Sequence, residues 1–109
     1  MCYNVRATDI LFISHERLAQ AAPHTFLDVP PELVVEIMSP SDRWVEVRRK
    51  LRGYFAAGVN VVLVVEPDEK IISAYRAPTE VVEFEATAVL TLDDILPGFY
   101  CNLAELFGT

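Results

Sequence analysis

Apolar positions along the chain follow two different rhythms. LVVEIM at Leu33–Met38 is rich in β-branched residues and reads as a strand buried on both faces, and Val59–Val65 reads as another. Between them Trp44, Val47, Leu51, Tyr54 and Phe55 recur at helical spacing. They form one apolar stripe, which predicts a helix from about Asp42 to Ala57. SPSD at Ser39–Asp42 reads as its start, with Ser39 or Ser41 as the cap and Pro40 in the first turn, and Gly58 as its end. A strand, a long helix and a strand make a crossover, so strands 33–38 and 60–65 are expected to lie parallel in one sheet. Pro67–Lys70 then separates Val59–Val65 from Ile71–Arg76, the signature of an antiparallel hairpin, and Val81–Glu85 alternates as a further strand. Upstream, Asp9–Ile13 reads as a strand. Ser14 reads as the cap of a short helix through Arg17 and Ala22 that Pro23 stops. LTLDDILPGFYCNLAELF predicts a strand, a turn at Pro97-Gly98 and a short closing helix. The fold class expected is α/β (α+β): a single-layer mixed β-sheet with a long packing helix.

Composition narrows the class of protein. The 109 residues suit one domain over 1–109. With 52% hydrophobic and 23% charged residues, a disordered or collagen-like chain is excluded. No apolar run approaches the roughly 20 residues of a membrane span, and no basic stretch followed by an apolar one opens the chain. Cys2 and Cys101 cannot make a disulfide framework and read as reduced thiols, so a cytoplasmic location is expected. The net charge of −7 weighs against a dedicated nucleic-acid binder. Any contact with a polyanion must use the basic run Arg43, Arg48, Arg49, Lys50 and Arg52.

Three residues are candidates for chemistry. Glu36 interrupts an apolar strand, and a glutamate in that setting needs something to compensate its charge. Asp9 opens DILFI with Leu11 and Ile13 on its side. Two acids on adjacent strands repel unless they share a cation, and Mg²⁺, a hard ion with oxygen ligands, is the natural one. Lys50 falls at the border of the helix's apolar stripe, where its stem can follow buried surface while Arg49 and Arg52 point further out. Each has an ordinary explanation too. Glu36 can pair with an arginine such as Arg6 or Arg43, Asp9 can be a turn or cap residue, and Lys50 stands four residues after Glu46 as an exposed helix pair. His15 and His24 match no metal-ligand spacing, Cys101 reads as a small core residue, and neither a nucleophile elbow nor a Gly-rich phosphate loop is present.

The segments RATDILFIS, PPELVVEIMSPSDRW, KLRGYFAAGVNVVLVVEP and LPGFYCNLAELF resemble the Uma2 family, also called DUF820, over essentially the whole chain. The resemblance implies a PD-(D/E)XK restriction-endonuclease-like fold and a metal-dependent nuclease that hydrolyses DNA phosphodiesters. It maps the family's first acid onto Asp9, with Arg6 and Phe12 in register, and its second onto Glu36. The nuclease lysine, relocated to the helix, maps onto Lys50. The implied roles are Asp9, Glu36 and Lys50 as catalytic residues, Asp9 and Glu36 as ligands of Mg²⁺ or Mn²⁺, and Arg43, Arg48 and Arg49 as contacts to DNA. Three positions depart from the family pattern: Thr8 stands for proline, Glu32 for aspartate, and Met38 for the lysine of an unmodified motif. Family members usually carry a longer N-terminal segment, so the chain reads either as a truncated or fragmentary member or as one whose start is misplaced, and with sheet strands lost a homo-oligomer (dimer) is expected. The alternative function is a catalytically impaired nuclease-fold protein serving as an oligomerising or partner-binding module.

Overall fold

The computed structural model describes residues 2–5, 8–19 and 29–108, with the backbone alone for 2–5, 8, 9 and 18. In chain order the elements are β1 (Cys2–Val5), β2 (Thr8–Phe12), α1 (His15–Leu18), β3 (Leu33–Ile37), α2 (Trp44–Ala57), β4 (Val61–Glu66), β5 (Ile71–Ala77), β6 (Glu80–Glu85), β7 (Val89–Thr91), β8 (Tyr100–Asn102) and α3 (Leu103–Leu106). β1 to β6 form one sheet in sequence order. Within that sheet the parallel pair is β3–β4, in register from Leu33 with Val61 to Ile37 with Val65, and α2 makes the crossover between them. The other pairs are antiparallel. The mixed sheet, the long helix and the Ile71 hairpin are thus as expected from the hydrophobic rhythm.

Strand alternation sends successive side chains to opposite faces, and both faces of this sheet are covered. On one face Leu11, Val34, Val62 and Val64 pack with Val47, Leu51 and Val59, flanked by Trp44, Tyr54, Phe55 and Tyr75. That is the stripe of α2 seated on the sheet. On the other face Leu33, Val61, Leu63, Ile72 and Ala74 pack against Leu90, Leu92 and Leu103. Those last three come from a separate ribbon, β7 paired with β8, and from α3. The strand, the Pro97-Gly98 turn and the closing helix are as expected, whereas β8 and the packing of this ribbon over the sheet are new, because a three-residue strand is too short to display an alternation. This second cover explains why β3 and β4 are apolar at nearly every position, with Glu36 the exception in β3.

Three local readings change. α2 begins at Trp44 with Arg43 as a cap residue that makes no side-chain hydrogen bond. Ser39 does not cap it: the Ser39 amide donates to Asp42 Oδ2 at 2.8 Å, so SPSD is a closed turn ahead of the helix. Ser14 does cap α1, accepting from the Arg17 amide at 3.1 Å, but the helix ends at Leu18. Residues 20–28, with the expected stop at Pro23 and with His24, lie outside the described residues, as does Arg6. Gly58 ends α2 in the left-handed region at φ 108°, with its amide donating to Phe55 and Tyr54 carbonyls. A Cβ there would sit 3.0 Å from Pro30 Cγ, so glycine is required on two counts. Glu32 ties these loops together. One carboxylate oxygen accepts from the Ser14 amide at 2.9 Å and the other lies 3.4 Å from Arg17 Nε. Arg17 in turn donates to the Pro30 carbonyl at 3.1 Å.

Candidate active site

Among the described residues, Glu36 and Ser73 are the buried polar side chains, and Glu36 is the charged one, at 8% exposure. Its position follows from period two. Val34 and Glu36 share the face of β3 that α2 covers, while Leu33 and Val35 face the β7–β8 ribbon. The carboxylate is held from above by two residues of α2. Tyr54 Oη donates to Glu36 Oε1, and Lys50 Nζ stands 3.6 Å from Glu36 Oε2. Lys50 and Tyr54 are four residues apart and therefore adjacent on one flank of the helix. Lys50 keeps about half its side chain in solvent (49%) while Glu36 keeps 10%, so an aliphatic stem reaches along the wall and leaves the ammonium at the rim. Lys50 reaches across to β3 rather than back to Glu46, and Glu36 has a lysine and a phenol of α2 among its partners; Arg6, one of the arginines considered for it, lies outside the described residues.

Asp9 lies on β2, which pairs antiparallel with β3 through Ile10 with Val35 and Leu11 with Val34. One further step along each strand brings position 9 opposite position 36. Alternation from Leu11 puts position 9 on the α2 face as well. At the backbone level the two acids are therefore neighbours on one face, the placement that carboxylates sharing a cation require. Mg²⁺ is ordinarily bound by one or two carboxylates with the rest of its shell water and substrate oxygen, and a carboxylate oxygen can accept from a donor and ligate a cation at once. In chemical type, the Glu36 carboxylate is a ligand that a hard divalent cation accepts. No group of three or more His, Cys, Asp or Glu side chains suited to a metal occurs among the described residues.

The basic run divides between the two sides of α2. Arg43, Arg48 and Arg49 are all exposed. At about 100° per residue, Arg48 and Arg52 fall on the flank opposite Lys50, beside a hollow lined also by Leu51, Tyr75, Pro78 and Thr79. In the sequence Tyr54 reads as part of the apolar stripe. Its signal was a hydroxyl one helical turn beyond Lys50, at the stripe's edge. Cys101 is half-buried against the core, as expected, and burial with the nearby Glu105 pushes its thiol up, which argues against a thiolate nucleophile.

A mixed sheet whose parallel strands flank a long helix, with a buried glutamate on the first strand and an amine lent by the helix, defines a restriction-endonuclease-like fold. The chain belongs to the Uma2 family: the family model, described as "Putative restriction endonuclease", matches residues 3–104. Among solved structures, it is similar to the crystal structure of "a putative nuclease belonging to DUF820" from Anabaena variabilis, at 18% sequence identity and a TM-score of 0.76. That likeness covers 93% of this chain and 59% of the other, so this chain spans about three-fifths of its neighbour's length. A comparison with curated proteins finds no match.

Proposed function

We propose that this chain is a metal-dependent nuclease that hydrolyses DNA phosphodiesters at Glu36. The single observation that supports the reading best is the pairing of Lys50 with buried Glu36 across two elements, 3.6 Å apart. A structural ion pair gains little from burying a carboxylate that an apolar residue could replace. A reaction centre needs such a group held where solvent does not disorder it. In this reading Glu36 and Asp9 hold Mg²⁺ or Mn²⁺. Held there, such a cation would supply positive charge that makes the phosphate more electrophilic and water more acidic. Tyr54 fixes the Glu36 carboxylate in one orientation. Lys50 orients the attacking water and offsets charge on the phosphate. Water adds to phosphorus as its proton passes to bulk water, the ester P–O bond breaks, and the departing oxygen takes a proton from solvent. Arg43, Arg48 and Arg49 draw the polyanion to an otherwise acidic surface.

The test is a melting experiment with divalent cation. At about a hundredfold excess of Mg²⁺ or Mn²⁺ over its Kd, a site of this kind stabilises the fold by about 2.7 kcal/mol. The gain should vanish in Glu36→Gln, and a chain whose melting ignores both cations would remove the reading.

A second role, as a homo-oligomerising module, is favoured by Val89, Phe99, Tyr100 and Leu106. These large apolar side chains stay exposed on the β7–β8–α3 surface, Tyr100 at 71%. Light scattering should then report a dimer that Tyr100→Ser with Leu106→Ser turns into a monomer. A monomer at all concentrations would discard this role.

A further inference from the structure

The flank of α2 away from Glu36 carries a hollow of about 280 Å³ between the helix and the β5–β6 turn. It is lined by Arg48, Leu51, Arg52, Tyr75, Pro78 and Thr79. All four of its polar side chains, the two guanidiniums, the phenol and the threonine hydroxyl, can donate hydrogen bonds. No carboxylate lines it, in a chain with 16 acidic residues against 9 Lys and Arg. Arg48 and Arg52 are four residues apart on one helix side, where their guanidiniums repel each other unless an anion lies between them. Among the described residues neither has an ion-pair partner. An acidic protein that leaves two adjacent arginines unpaired has not used them for its own fold.

From these features we infer that this hollow is a phosphate-binding site, distinct from the Glu36 centre and separated from it by the body of α2. The two guanidiniums present their forked donors to one phosphate, the geometry in which arginine surpasses lysine. The Tyr75 ring, Leu51 and Pro78 offer an apolar wall for a sugar or base beside it. The Tyr75 phenol remains protonated and able to donate, since burial and then Glu83 raise it above its ordinary value against the lowering pull of Arg48. From the register, Tyr75 and Glu36 are two strands and two residues apart, roughly 12 Å between Cα atoms. A nucleic acid straddling α2 spans that distance. The inference rests on the nuclease reading only for the source of the phosphate, which is a strand backbone in that case and a free phosphate or nucleotide otherwise.

Binding is measured in EDTA, where no cleavage at Glu36 contributes. A fluorescein-labelled single strand is titrated by anisotropy, while inorganic phosphate and a nucleoside monophosphate are titrated by melting. Arg48→Gln with Arg52→Gln is expected to weaken the strand about tenfold and to lower the slope of log K against log salt by roughly 0.7, as befits one phosphate no longer neutralised. Lys70→Gln is the control, an equal charge change per substitution at an exposed turn outside the hollow. It should weaken binding far less than Arg52→Gln alone. If phosphate and the monophosphate raise Tm and the arginine pair abolishes that shift while strand affinity is unmoved, the site stands and its ligand is a free phosphate. Equal losses in Arg52→Gln and Lys70→Gln, or no change in any titration, overturn the proposal. A chain that fails to cleave yet binds through the arginine pair loses the nuclease reading and keeps the site.

Discussion

Tyr54→Phe removes one oxygen from α2 and leaves the ring packed against Val34, Val47 and Leu51 in the same core. The deleted group is the donor to Glu36 Oε1. A hydrogen bond to a charged acceptor is worth about 1.5–3 kcal/mol, and the full figure applies when water cannot take the donor's place. Water is poorly placed to do so, because only 10% of the Glu36 side chain is exposed. Lys50 remains, but at 3.6 Å and half in solvent its attraction lies between about 1 and 5 kcal/mol for effective dielectrics of 80 and 20, and it acts on the other oxygen. The variant should therefore unfold about 1.5–3 kcal/mol more easily. At roughly 4–8 °C per kcal/mol for a domain of this size, Tm falls by on the order of 10 °C. Circular dichroism melting at neutral pH, with urea unfolding to confirm that the m-value is unchanged, reads this directly. A Tm within about 2 °C of the unaltered chain would show that Glu36 does not depend on Tyr54, and the description of the site would fail there.

Two further outcomes follow from the packing and charge around that site. Leu51→Ala empties the seam between α2 and the sheet, where Leu51 is 2% exposed, and should cost about 2–5 kcal/mol in urea unfolding; a loss under about 1 kcal/mol would mean that α2 is not seated as described. For Glu32, burial raises the carboxyl, but hydrogen bonds from Ser14 and the charge of Arg17 outweigh it, so the net shift is downward. A depressed carboxylate contributes stability that is present above its unfolded value, about 4.3, and is lost as pH falls through the lower folded value. Glu32→Gln should accordingly flatten the acid limb of the stability curve below about pH 4.3 and leave its slope at pH 7 unchanged, as urea unfolding across pH will show; an unaltered acid limb would contradict the assigned partners.

Much of this arrangement is legible in the residues, and the parts that are not share a physical cause. Leu33–Ile37, α2 and Val61–Glu66 stand out because a long helix and two β-branched runs each carry many positions of one period. Glu36 stands out for breaking its run. What joins Glu36 to Lys50 is tertiary: the helix stripe fixes which flank Lys50 occupies, but the strand opposite that flank is set by the parallel crossover. The strand before Pro97-Gly98, the turn and the closing helix are legible in LTLDDILPGFYCNLAELF, but β8 and the seat of the ribbon on the sheet are not, because a three-residue strand holds too few positions to display a period and the packing is tertiary. The SPSD segment misleads because Asp42 bonds the Ser39 amide, a local interaction that competes with capping. Arg52, expected to point outward, stays exposed yet edges a hollow whose other wall comes from β5 and the turn after it, far away in sequence.

The claim on which the functional reading turns is that Glu36 and Lys50 work together on a phosphodiester. Nicking of supercoiled plasmid in Mg²⁺, compared across the unaltered chain, Glu36→Ala and Lys50→Ala, tests it most directly. The predicted result is cation-dependent conversion to open circles that both substitutions reduce at least a hundredfold, about 2.7 kcal/mol of transition-state stabilisation each. Cleavage that persists undiminished in both variants would contradict it and move the chemistry away from this pair.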